Sequence, residues 1–248
     1  MTKETGLTAS VKELYELELD TREFAFIYLG GAGILLRTKE LAIAFDPANL
    51  LSKAESAILS LDFITYSHSH YDHFTLLDAV SLFKYTNARI ISEFSMVEEL
   101  KSKISQDMII SGPPTFRTAD DELTLNLDGA QFKMHRGVHP RQIIQYRVTL
   151  GKLRIFHAAD SGYWPVGKKK VDVAFIPTGS PSPTCAPAVG LAMVMDIQPK
   201  FAVAIHGSEQ QRKKFKALVE SEVPSTTVII PHKNQLVRLN TNRLQSVP

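Results

Sequence analysis

Between Phe63 and Phe74 the chain reads F-I-T-Y-S-H-S-H-Y-D-H-F, and four side chains in it can ligate a metal: His68, His70, Asp72 and His73. With 8 histidines in 248 residues, a random six-residue window would hold about 0.2 of one; this window holds three, with an aspartate among them. Imidazole and carboxylate suit zinc and other divalent first-row ions. The apolar run Phe63-Ile64-Thr65-Tyr66 just before the cluster reads as a buried strand. Extended backbone sends residues i and i+2 to one side, so His68 and His70 can converge on one ion. If the chain then turns, Asp72 and His73 aim at a second point nearby.

Four ligands cannot complete the shells of two metals. Three further places stand at the C-terminal ends of predicted strands. His135-Arg-Gly-Val-His139-Pro140 offers two histidines, His157-Ala-Ala-Asp160-Ser-Gly offers Asp160, and Ala204-Ile-His206-Gly offers His206. Taken singly each has a plain explanation, because an aspartate before Ser-Gly commonly makes an Asx turn and a lone histidine commonly closes a strand. The cluster at 68–73 turns them into ligand candidates. Asp46-Pro47 ends an earlier β run, where proline cannot continue the ladder. Asp46 therefore either caps a turn or supports the metal loop from beneath.

The elements that must position these residues follow from the apolar periodicity. Ser10 and Glu13 have capping-box spacing, which predicts a short N-terminal helix added to the surface of the fold. Runs at 24–29, 33–37 and 41–45 read as consecutive antiparallel strands punctuated by Gly30-Gly31 and Thr38-Lys39-Glu40. After the cluster come a helix over 75–84, a strand at 89–92 and a helix over 93–103. A β-rich stretch follows at 108–110, 123–127, 131–134, 143–149 and 153–157, with Asp128-Gly129 and Gly151-Lys152 as hairpin turns. The chain closes with strands at 171–177 and 201–206, helices over 186–197 and 208–220, and strands at 226–230 and 235–239. The later half thus repeats the plan of the earlier one. An α/β protein is expected, a four-layer αββα sandwich forming one domain over 1–248, with residues 1–22 as an N-terminal extension.

Composition fits an ordinary globular chain: 44% hydrophobic, 22% charged, formal net charge +2. This balance does not call for nucleic acid as a partner. Cys185 is the single cysteine, so no intramolecular disulfide framework exists and a reducing, cytoplasmic setting is expected. The segment Met1-Thr-Lys-Glu-Thr-Gly lacks the pattern of a secretory signal, and no apolar run reaches the roughly 18 residues of a membrane span.

H-S-H-Y-D-H resembles the H-x-H-x-D-H signature of the metallo-β-lactamase superfamily, and the order of the later motifs fits it from about Phe24 onward. The likeness is greatest to the compact metal-dependent hydrolases that include the ascorbate-phosphate lactonase-like proteins. It is carried by Gly30-Gly-Ala-Gly leading to Asp46-Pro47, the Asp160-Ser-Gly turn, Asp172-Val-Ala-Phe-Ile-Pro-Thr-Gly and Lys200-Phe-Ala-Val-Ala-Ile-His. The resemblance implies that His68, His70 and a third-motif histidine hold one metal. It implies that Asp72, His73 and His206 hold the other, with Asp160 bridging. His139 stands where the family places the third-motif ligand, with His135 as the alternative. Relatives that carry a histidine at Gly31 differ from this chain there.

Two divalent ions are implied, zinc first, with manganese or iron(II) as alternatives. Such ions, about 3.5–4 Å apart, share a bridging hydroxide at neutral pH, and Asp72 would orient it and accept its proton. The implied reaction is hydrolysis of an ester-like bond in a small molecule: lactone, thioester or phosphodiester. A nuclease is the first rival, supported by Lys168-Lys169-Lys170 and by Arg212, Lys213, Lys214 and Lys216 on one predicted helix. An iron-dependent oxidoreductase is the second; its diiron form typically has glutamate where this chain has His70, and its mononuclear form resembles sulfur dioxygenases. A silent binding protein is the third. Tyr71, Tyr163, Trp164 and the loop 180–185 adjoin ligand loops, so they are expected to border the site. Tyr163-Trp164 either stacks on substrate or anchors a loop, and Cys185 reads as a packed small residue. A homo-oligomer is left open by the sequence.

Overall fold

The strand that feeds the histidine cluster, β4 (Phe63–Tyr66), lies fully buried between β3 (Ala42–Phe45) and β5 (Arg89–Ser92), parallel to both. The computed structural model describes residues 6–116, 122–167 and 170–242. They form two compact units, one of residues 6–112 with 232–240, the other of residues 113–231 with 241–242.

The first unit is a seven-stranded sheet in the order β14-β1-β2-β3-β4-β5-β6, with β1 Glu23–Gly30, β2 Gly33–Thr38, β6 Ile109–Ser111 and β14 Leu236–Asn240. The strands from β14 to β3 run antiparallel and those from β3 to β6 parallel. Parallel neighbours need a crossover. The one between β4 and β5 is α2 (Leu76–Thr86), capped by Thr75, whose hydroxyl accepts the Asp78 amide, and ended by Asn87 at φ 52°. Alternate residues of β1 (Ala25, Ile27, Leu29) join Leu7, Val11 and Leu14 of α1 (Gly6–Glu16) in one apolar cluster.

The N-terminal helix differs from its expectation in two ways. Among the described residues it spans Gly6–Glu16, so Ser10 lies inside it, with its hydroxyl on the carbonyls of Gly6 (3.0 Å) and Asn234 (2.8 Å). It also belongs to the unit's core, since Val11 and Leu14 are fully buried. The helix expected over 93–103 is broken: a 3-10 turn at Phe94–Met96 precedes α3 (Val97–Lys101), and the Glu93 side chain caps the turn by accepting the Ser95 amide.

The second unit repeats the plan. Its sheet runs β13-β12-β11-β10-β9-β8-β7, with β7 Glu122–Leu127, β8 Ala130–Arg136, β9 Ile144–Leu150, β10 Leu153–His157, β11 Val173–Pro177, β12 Phe201–Ile205 and β13 Thr227–Ile229. β7 to β10 form an antiparallel meander and β10 to β13 are parallel. The crossovers from β11 to β12 and from β12 to β13 are α4 (Pro187–Ile197) and α5 (Glu209–Glu222), the latter opened by a capping box of Ser208 and Gln211. Met193, Val194, Phe215 and Val219 from these helices pack on Ala174, Ile176, Ala202 and Ala204 of the sheet. The two closing strands therefore go to opposite sheets: β13 extends the parallel half of the second, while β14 pairs antiparallel with β1 of the first. The architecture is the expected α/β one, two sheets flanked by helices. Among the described residues no helix is long and apolar enough to cross a membrane.

Candidate metal centre

The residues at 68–73, Asp160 and His206 follow the C-terminal ends of strands that pair in parallel, where open α/β sheets place their ligands, whereas His139 follows β8 of the antiparallel meander. In the first unit, Asp46 follows β3 and residues 67–74 follow the adjacent β4. Asp46 has φ 41°, and its amide donates to the Thr65 carbonyl at 2.9 Å. Its carboxylate is nearly fully buried and receives three donors: the Ser67 amide (2.7 Å), the Ser67 hydroxyl (2.6 Å) and His73 Nδ1 (2.8 Å). Asp46 is thus the buried support of the loop.

This network sets the tautomers. With its proton given to Asp46, the Ser67 hydroxyl can accept from His68 Nδ1, 3.0 Å away. Both His68 and His73 then carry the proton on Nδ1 and present Nε2 as a lone pair, the arrangement that orients metal-ligating histidines. His68 Nε2 lies 3.0 Å from His70 Nδ1. Two nitrogens each about 2.0–2.1 Å from one zinc ion can span that separation. His73 Nε2 lies 3.7 Å from Asp72 Oδ2. The loop is held tight where it turns, because the amides of His73 and Phe74 both donate to the His70 carbonyl at 2.9 Å. His68 and His73 are fully buried, whereas Asp72 is 35% exposed. The donor set, imidazole and carboxylate without thiolate, fits Zn2+, Mn2+ or Fe2+.

In the second unit His139 Nε2 lies 3.5 Å from Asp160 Oδ2, both side chains being buried. His135 points elsewhere: it stands opposite Glu122 in the β7–β8 register, with Nε2 3.8 Å from its carboxylate. Two devices fix the loops carrying His139 and Asp160. The Ser161 hydroxyl accepts the Val138 amide and Gln145 Nε2, each at 2.8 Å, and Gly162 donates back to the Val138 carbonyl. A Cβ at Gly137 would stand 2.6 Å from Ser161 Oγ, so only glycine allows the two loops this close. From the other side the expected site-bordering loop clamps the Asp160 carbonyl, through the hydroxyls of Ser182 (2.6 Å) and Thr184 (3.2 Å) and the thiol of Cys185 (3.0 Å). Burial pushes that thiol up to about 12, which suits a packed residue and not a nucleophile.

His206 directly follows β12, nearly fully buried at φ 46°. Thr178 Oγ1 donates to its carbonyl at 2.7 Å, and Gly207 donates to the Ser180 carbonyl at 2.6 Å. Trp164 lies under the Arg136 guanidinium, 4.7 Å from ring centroid to Cζ, so it anchors its loop; Tyr163 is 40% exposed.

Residues 40–207 match the model of the β-lactamase superfamily domain. The chain belongs to that superfamily. It is 27% identical over 231 residues to a UPF0173 metal-dependent hydrolase of Desulforamulus reducens, covering 86% of this chain and 98% of that one. Among solved structures, a metallo hydrolase of the archaeon Ignicoccus hospitalis superposes with a TM-score of 0.67 at 17% identity, over 88% of this chain and 99% of its own. CmlA, a diiron β-hydroxylase of Streptomyces venezuelae, gives 0.66 at 14% identity, over 90% of this chain and 55% of its own. At these identities the structural likeness speaks for the fold alone, the metallo-β-lactamase fold, which carries more than one chemistry.

Three of the basic residues offered for nucleic acid have local partners. Lys213 pairs with Glu209 (2.6 Å), Lys216 with Glu220 (3.6 Å), and Arg212 donates to the Pro231 carbonyl. Lys168 and Lys169 lie outside the described residues. Sequence reasoning did not single out Ser67, and a serine between strand and histidine carries no signal of its own. Asp46 did carry one, its position at the end of the strand beside β4.

Proposed function

We propose that this superfamily member is a metal-dependent hydrolase that cleaves an ester-like bond (lactone, thioester or phosphodiester) of a small molecule with the help of two divalent ions, zinc first. In this reading, carried over from the family resemblance, His68, His70 and His139 would serve one ion and Asp72, His73 and His206 the other, with Asp160 shared. Support comes from the family membership and from the donor chemistry. The observation that carries it is the His68–His70 nitrogen pair at 3.0 Å, backed by the Asp46–His73 hydrogen bond at 2.8 Å. Such contacts support histidines held for a metal over a polar surface loop.

Bound divalent ions supply Lewis acidity and a nucleophile available at neutral pH. The chain's residues do the rest. Asp46 keeps His73 in one tautomer and one orientation, and through Ser67 it does the same for His68. Asp72 is the most exposed carboxylate of the set. It orients the attacking water, accepts its proton and returns it to the leaving group. The buried walls around Asp160 and His206 keep the surrounding dielectric low, which strengthens each of these interactions. The single cysteine is consistent with a reaction run in the cytoplasm.

The test is a hydrolysis screen of lactones, thioesters and phosphodiesters with the zinc- and manganese-loaded protein, wild type against His70→Ala. Turnover of at least one class, lost in the variant, is expected. Undiminished hydrolysis by His70→Ala would overturn the assignment.

A further inference from the structure

Beside Asp72, in the first unit, lies a cleft of about 190 Å³ lined by Gly30, Gly31, Asn49, Leu50, Tyr71 and Asp72, and closed by Lys233. Lys233 is its one cation and Asp72 its one anion. The lysine stands on a turn that is tied down on every side. Asn234, at φ 64°, donates to the Tyr28 carbonyl at 2.6 Å, and the Tyr28 amide donates to the Gln235 carbonyl. The His232 amide is held by Gln235 Oε1 at 2.8 Å, and the Asn234 carbonyl accepts the Ser10 hydroxyl of α1. The Lys233 stem runs along Gly30, where a Cβ would meet its Cε at 3.4 Å and its Cδ at 3.5 Å. Gly30 has φ 114°, a backbone that side-chain-bearing residues rarely adopt, so the floor under the stem stays flat. Among the described residues Lys233 forms no ion pair. An ammonium on an anchored turn, with its stem packed and its head in a cleft whose one carboxylate it does not pair with, is placed to meet an incoming anion.

We propose that this cleft receives an anionic group of the substrate, a carboxylate or a phosphate, on the Lys233 ammonium. The ring of Tyr71, 85% exposed, covers the adjoining part of the molecule. The substrate would then be an anionic ester or lactone whose scissile bond lies at Asp72 and whose negative group lies one cleft away. Only this last assignment, which molecule carries the anion, rests on the hydrolase reading; anion binding is measurable without turnover.

Isothermal titration of the metal-loaded full chain with glutarate and, separately, inorganic phosphate tests the site. Wild type should bind at least one anion, and which one tells a carboxylate site from a phosphate site. Lys233→Met should weaken that binding about tenfold, the scale of a lost charge-assisted hydrogen bond. Lys233→Arg should stay within about threefold, since the cation is retained. Equal affinity in wild type and Lys233→Met would mean that the anion sits on the metal ions and would overturn the proposal. Absence of binding to wild type would overturn it as well. If wild type binds anions through Lys233 yet hydrolyses no ester, the hydrolase reading falls and the cleft stands.

Discussion

In the first unit four candidate ligands fall within six residues, and one buried carboxylate, Asp46, braces His73 directly and His68 through Ser67. In the second, His139, Asp160 and His206 are spread over 68 positions and are braced through the backbone: Ser161 ties the His139 loop to the Asp160 loop, and carbonyls of Asp160 and His206 are clamped by hydroxyls. The first design orients imidazoles by side-chain hydrogen bonds, so tautomer and direction are set together. The second fixes where the chain runs and leaves each side chain to follow. Damage to the first should therefore appear in metal affinity, and damage to the second in stability.

The largest effect should come from a ligand of the dense cluster. His70→Ala is expected to cost on the order of 10³-fold or more in turnover while far-UV circular dichroism stays native, because removal of the imidazole beside His68 leaves the strand and α2 untouched. Next comes the brace. Asp46→Asn cannot accept all three of the carboxylate's donors and should lower metal affinity by about 10–100-fold, read by competition with a chelator. Ser161→Ala is the matching break in the second unit. It strands the Val138 amide and Gln145, so it should cost about 1–3 kcal/mol in urea unfolding while metal affinity falls less than in Asp46→Asn. A larger loss of affinity in Ser161→Ala than in Asp46→Asn would refute the contrast.

Away from both ligand sets, Asp172 holds the start of the second unit's parallel strands. Burial alone would raise its carboxyl, but hydrogen bonds from the Arg154 side chain and amide and from Lys200 outweigh it and hold it below the usual range. A carboxyl with a lowered folded-state pKa contributes stability above its unfolded value, near about 3.9, and loses it as the pH falls through the folded value. The destabilisation by Asp172→Asn should accordingly be full at pH 7 and shrink as the pH drops below about 4. Smallest of all, Lys213→Ala on α5 removes an ion pair whose side chains are 69% and 72% exposed, and a shift below about 0.5 kcal/mol is expected.

The same contrast explains what could be read before the fold was seen. The cluster at 68–73 was legible because density is visible in sequence. The strands were legible from apolar runs between Gly, Pro and Asp punctuation, which is why β4 and β10 coincide with their expected ranges. His139 and His206 became candidates only beside the cluster at 68–73, and only the family resemblance assigned them to particular ions, because a histidine at a strand end says nothing about what it will face. Asp46 stood open between turn cap and support; parallel pairing of β3 with β4, a long-range fact, decides it. Ser67 was invisible for the same reason, since its role exists only once Asp46 lies beside it. The N-terminal helix looked like a surface addition because three buried residues in eleven suffice to dock on a sheet yet read as a weak amphipathic pattern. Sending β13 and β14 to different sheets depends on strand pairing across more than 200 residues, which no local pattern encodes.

The most direct test of the central claim is the metal content of the purified protein, with zinc, manganese and iron quantified together, for wild type and Asp46→Asn. Two equivalents of zinc or manganese per wild-type chain, reduced in the variant, are predicted. A single iron, or no metal retained even after reconstitution, would contradict the account.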